Sequence, residues 1–176
     1  MLKQAVASLA LVLAPILALA AAAPVLAQGA KPQKIGAYSG WEAYSFTEGK
    51  AKTCYLVGRP KSSEPKSVKR GEAYVTVTHR PGAKVRDEVS VHVGYPLKAG
   101  SNVETVVGGA KFSLFTKDEA AWAVDAQTDK SLVDAMAKGP TFMVKATSTR
   151  GIDTVDSYAM AGFAQARKAI DGACPP

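Results

Sequence analysis

The chain has 176 residues, 47% of them hydrophobic and 21% charged, a formal net charge of +7 and only two cysteines. A chain of this length buries one core of ordinary size, and nothing in it reads as a second domain, an internal repeat or a low-complexity tail. Two thiols and two scattered histidines, His79 and His92, make a poor zinc site, and no cofactor is expected.

Residues 1–27, MLKQAVASLALVLAPILALAAAAPVLA, open with Lys3 ahead of an uncharged Ala- and Leu-rich run. The run ends in Val25-Leu26-Ala27, the layout of a secretory signal peptide cut before Gln28. It is also long enough for an uncleaved membrane anchor; Pro15, Pro24 and the small-residue exit favour cleavage. No cysteine follows the run, so a lipid-anchored mature N-terminus is not expected, and no later apolar run approaches a membrane span. The mature protein is therefore expected in the periplasm or secreted, with outer-membrane association as a variant.

Export gives the cysteines a meaning. Two cysteines in an oxidising compartment normally pair, and only one connectivity exists, Cys54 to Cys174. Such a bond closes a loop of about 120 residues, for which the chain-entropy model gives on the order of 4–5 kcal/mol. A redox pair or metal site is the alternative, but neither cysteine sits in a CxxC.

Residues 28–37, QGAKPQKIGA, lack periodicity and read as a flexible leader, leaving 38–176 as one β-rich domain. GWEAYSF (40–46) reads as a first strand, its Tyr44 and Phe46 joining Tyr38 and Trp41 in an aromatic cluster expected to pack in the core. TCYLVGR (53–59) reads as a second strand. KSSEPKSVKRG (61–71) is polar and reads as an exposed hairpin loop. AYVTVTHR (73–80) and EVSVHVGY (88–95) alternate Val against Thr, Ser and His, the pattern of an antiparallel pair with one face buried. VETVVGG (103–109), KFSLFTK (111–117) and EAAWAVD (119–125) follow as strands. TDKSLVDAMAKG (128–139) predicts a helix capped by Thr128 or Asp129 and stopped by Gly139-Pro140. TFMVKATST (141–149) and TVDSYAM (154–160) return to strand, and GFAQARKAID (162–171) is a short helix ending just before Cys174. About eight short strands with one or two helices and no β-α alternation predict a mainly β fold, an antiparallel sandwich or barrel.

The spacing of KTCYLVGRP around Cys54, the middle stretch GGAKFSLFTKDEAAWAVDA, and the close SYAMAGFAQARKAIDGACP, behind the early Trp41, resembles the invasion-associated locus B family of exported bacterial proteins. The resemblance covers nearly all of the mature chain. It implies a β-rich domain of the periplasm or outer envelope with no established enzymatic activity. In pathogens it implies an association with entry into host cells, notably red cells. Some members carry more cysteines, one of them close after the early Trp. Here Glu42 and Ala43 follow Trp41, which leaves a single bridge.

No catalytic constellation is evident. There is no Gly-x-Ser-x-Gly elbow. VVGGAKFS has Ala110 between its glycines and its lysine, so Gly108-Gly109 reads as a hairpin turn, not a phosphate loop. Asp87-Glu88 and Asp118-Glu119 are neighbours on strands and face opposite ways, so they read as solvating turn ends. Arg59, Lys61, Lys66, Lys69 and Arg70 fall within a dozen residues, with Lys52 upstream and Arg80 and Lys84 beyond. If the flanking strands pair, these charges gather near one end of the sheet. Such a patch attracts an envelope protein or an anionic surface: lipopolysaccharide, phospholipid headgroups or glycans. Nucleic acid is not expected, since the chain is exported and lacks interleaved aromatic and basic residues. The favoured reading is a non-catalytic binding protein. The alternative is a hydrolase or small-ligand protein whose site joins a histidine, a carboxylate and a serine from distant positions.

Overall fold

The computed structural model describes residues 31–176; the expected signal peptide, residues 1–27, lies outside the described residues. The strands are β1 (Gln33–Tyr38), β2 (Trp41–Glu48), β3 (Ala51–Gly58), β4 (Ser62–Glu64), β5 (Tyr74–Arg80), β6 (Val85–His92), β7 (Asn102–Val107), β8 (Ala110–Lys117), β9 (Ala120–Trp122), β10 (Thr141–Thr147) and β11 (Asp153–Ala159). Helix α1 spans Ala126–Lys138 and helix α2 spans Phe163–Ala173. All strands join one antiparallel sheet in the order β1-β2-β3-β5-β6-β9-β8-β7-β10-β11-β4. The fold is mainly β, as the alternation predicts.

The sheet curls, and the chain shows why. β4 starts four residues after β3 ends, yet it pairs with β11 at the far edge of the order. Four extended residues reach at most ~14 Å. The far edge must therefore return to the end of β3, which makes a sandwich-like, incompletely closed barrel. Two contacts hold the closure. The Trp41 indole Nε1 donates to the Ala159 carbonyl at 2.9 Å. Gly162, at φ +86°, lets β1 lie so close that a Cβ there would sit 2.0 Å from the Tyr38 carbonyl oxygen.

Two expectations are corrected by the edges. Residues 33–37, read as flexible leader, form most of β1 and pair with β2. An edge strand whose residues are all exposed or only partly buried has too little hydrophobic alternation to betray it. Residues 61–71 do connect paired neighbours, β3 and β5, but they are not a free hairpin loop, because their first turn leaves to become β4.

The core forms where alternation placed it. Val75, Val77, Val89 and Val91 are fully buried, while Thr76 and Thr78 between them are only partly so. Trp41 is buried edge-on against Phe163, with ring centroids 4.9 Å apart. Leu132, Val133 and Met136 of α1, and Phe163, Ala166 and Ile170 of α2, fill the same core. Helix α1 begins earlier than predicted. Asp125 is its N-cap and accepts from the Thr128 amide at 2.7 Å. Asp129, expected as a cap, is buried against β6, where its Oδ1 accepts from the Val89 amide at 2.9 Å. β9 pairs only with Ser90 to His92 of β6, so the carboxylate serves an amide that no strand reaches. Helix α2 ends at Cys174, which is bonded to Cys54 in β3 with Cα atoms 5.9 Å apart. The two-residue turn at Gly108-Gly109 has both φ angles positive, +55° and +89°, as a primed hairpin turn demands.

Candidate functional site

The residues proposed from sequence for an anionic partner do not form one patch. Register decides this. Gly58 pairs with Val75 and Cys54 with His79, so residues 59–70 lie at one end of the β3–β5 pair while Lys52, Arg80 and Lys84 lie at the other. Within 59–70 the five cations have three different fates.

Arg70 is withdrawn into the fold. Its guanidinium makes a two-pronged pair with Asp156 of β11: Nη1 donates to Oδ2 at 2.8 Å and Nη2 contacts Oδ1. Nη1 also donates to the Val93 carbonyl at 3.2 Å, and the guanidinium lies over the Tyr95 ring at 5.9 Å. Asp156 is 1% exposed. Sequence reasoning read Arg70 as a surface cation because its partner is 86 residues away. Arg59 is exposed but lies between two carboxylates, Glu42 at 3.6 Å and Glu72 at 3.8 Å. Lys61, Lys66 and Lys69 are exposed and form no ion pair with a described residue. These three are what remains of the predicted patch.

Each histidine completes part of a catalytic arrangement and lacks the rest. His79 is 1% exposed. Its Nδ1 accepts from the Asp87 amide at 3.0 Å, so Nε2 carries the ring proton and donates it to Asp171 at 2.9 Å. Arg86 contacts the same Asp171 oxygen. This is an oriented His–Asp pair with no serine among the described residues hydrogen-bonded to it. It floors an open cleft of about 310 Å³ beside Pro81, Arg86 and the last residues, Pro175 and Pro176. His92 has the serine without the carboxylate. Ser90 Oγ lies 3.2 Å from its Nε2 and 2.7 Å from Thr76 Oγ1. Burial pushes the His92 imidazole below its ordinary pKa, against a smaller opposing pull from Glu119.

The paired acids behave as strand geometry dictates, with one correction. Glu88 faces out to Arg80 at 2.6 Å, and Asp87 faces in to Arg167 at 2.9 Å. Asp87 is 4% exposed, so it is a buried ion-pair partner and not a solvating turn end. Its φ of +57° at a register shift between β5 and β6 turns it inward. The expected aromatic cluster also divides between faces. Trp41 enters the core, while Tyr44 stacks on Tyr55 on the outside of the sheet, centroids 5.4 Å apart.

Among the described residues no helix is long and apolar enough to cross a membrane. The family model for the invasion associated locus B (IalB) protein matches residues 41–171. The crystal structure of invasion associated protein B from Bartonella henselae aligns with a TM-score of 0.56 at 14% identity, covering 80% of this chain and 96% of that one. At that identity the likeness concerns the fold. No curated protein matches the sequence.

Proposed function

Because this chain belongs to the invasion associated locus B family, we propose that it is an exported, non-catalytic envelope protein, periplasmic or secreted, that works by binding an anionic envelope partner. The contact surface is the 61–69 segment. The observation that carries this reading is the set of exposed ammonium groups on Lys61, Lys66 and Lys69, none of them ion-paired with a described residue. Each is a mobile point charge, and an anionic surface such as lipopolysaccharide or a phospholipid headgroup layer needs no fixed geometry from it.

The test in the cell is a photoreactive residue at Ser67, in the middle of the segment, compared with one at Gln165 on the exposed side of α2. Crosslinks from Ser67 to lipopolysaccharide, phospholipid or an acidic envelope protein support the reading. Adducts from Gln165 alone oppose it.

A further inference from the structure

The outward face of the sheet carries a second surface, unrelated to the lysines. Register places Glu42, Val57, Thr76, Ser90, Trp122 and Phe115 in one cross-strand row over β2, β3, β5, β6, β9 and β8. Rings flank that row on the same face. Tyr44 stacks on Tyr55, and Phe46 meets Tyr55 edge-on. Tyr74 stacks on His92 at 4.3 Å, His92 meets Trp122 at 6.4 Å, and Trp122 stacks on Phe115 at 6.0 Å. Among the described residues, every aromatic pair outside the Trp41–Phe163 and Phe142–Tyr158 core contacts lies on this face. Phe115 is 46% exposed. The wet face of an antiparallel sheet is ordinarily polar, so two groups of rings there, Tyr44–Tyr55–Phe46 and Tyr74–His92–Trp122–Phe115, joined across Val57 and Thr76 by one cavity, mark a binding surface.

The shape and chemistry of the band limit its occupant. It runs over five strand spacings, about 24 Å, and three rows, about 14 Å. That is about 340 Å², under half of the ~800 Å² that a stable protein partner covers. The ligand is narrow and linear. The cavity of about 510 Å³ at one end is rimmed by Glu42, Arg59 and Glu72, whose charges, with Lys34 on Glu42, cancel. A net-neutral rim does not select an anion. Ionised carboxylates accept hydrogen bonds and never donate them, so the ligand must bring donors. An extended peptide would need free strand-edge amides, and a proline-rich one has no N–H to give. A sugar chain has hydroxyl donors for Glu42 and Glu72, acceptors for Arg59, and C–H faces that suit the negative face of an aromatic ring.

We propose that this band, from Tyr44 and Tyr55 through Tyr74 and His92 to Trp122 and Phe115, binds a neutral linear oligosaccharide. The site is separate from Lys61, Lys66 and Lys69. Its ligand carries no charge, so its fate is independent of the anionic-partner reading.

The experiment is titration of the full exported chain with chitohexaose, cellohexaose and maltohexaose, and with decaproline and a heparin hexasaccharide as competitors of other chemistry, followed by Trp fluorescence and calorimetry. The expected result is saturable binding of at least one neutral hexasaccharide, little changed between 50 and 500 mM salt. Tyr74→Ala and Phe115→Ser each weaken it at least tenfold. Both side chains point outward, so an unchanged melting temperature certifies the fold, and the Lys66→Glu/Lys69→Glu variant binds as the parent does. Failure of all three neutral sugars to bind, preference for decaproline or heparin, or full affinity in both aromatic variants overturns the proposal.

Discussion

Arg70 and Asp156, 86 residues apart, meet in a two-pronged ion pair inside the closure of the sheet. The pair fastens the segment that leaves β4 to β11, against which β4 pairs. Breaking such a pair leaves an unpaired buried charge, at a cost of about 3–5 kcal/mol, while replacing both partners with apolar groups is often nearly neutral. Arg70→Met is expected to lower stability by that amount in urea titration, and Arg70→Met/Asp156→Leu to recover most of it. Equal destabilisation in the single and double variants would show that the pair is not the source.

The Cys54–Cys174 bond ties the end of α2 to β3. Alkylation of the exported protein without reductant is expected to find no free thiol. Cys174→Ser should cost on the order of 2–5 kcal/mol, and hydrogen exchange should show α2 losing protection before the strands do. Two alkylated thiols in the native protein would contradict the structure.

Asp129 gives the protein a pH-dependent term. Burial raises its carboxyl from 3.8 to about 6, helped by Glu88, Asp87 and Asp125, although the Val89 amide pulls the other way. A folded state that holds the proton more tightly than the unfolded chain loses stability as pH rises from about 4 to about 6, and nothing further above that. Asp129→Asn keeps an acceptor for the Val89 amide and removes the charge. It is expected to flatten this part of the stability profile and to match or exceed the parent at pH 7.5. A variant that is markedly less stable at pH 7.5 would show that the carboxylate charge is favourable at the start of α1.

Gly162 is irreplaceable for a reason measurable by substitution. At φ +86° any side chain is strained, on the order of 1–3 kcal/mol, and its Cβ would overlap the Tyr38 carbonyl. Gly162→Ala is expected to lose more stability than Gly172→Ala, where nothing lies within 4 Å of the added methyl. Equal melting temperatures would refute the close approach of β1.

What the sequence disclosed followed from burial. β5, β6 and β8 alternate because one face is covered, and α1 and α2 show their buried stripes at helical spacing. β1 and β4 escaped notice because edge strands have no such contrast. The curl of the sheet rests on β4 crossing to β11, a pairing that no local pattern encodes. Arg70 reads as a surface cation for the same reason: its spacing matches that of Lys66 and Lys69, and only the fold brings Asp156 to it. The rings of the outer band were visible singly, but Tyr74, His92, Trp122 and Phe115 align only once the register of four strands is known.

The most direct test of the anionic-partner reading is flotation of the exported protein with vesicles of phosphatidylglycerol and with lipopolysaccharide, at 50 and 300 mM salt. Exposed charges are screened within about 8–10 Å at physiological ionic strength. Binding is expected to be strong at low salt, to fall steeply at high salt, and to be lost in Lys61→Glu/Lys66→Glu/Lys69→Glu, with Arg70 left intact to preserve the fold. Absence of binding at low salt, or equal binding by the triple variant, would contradict the account.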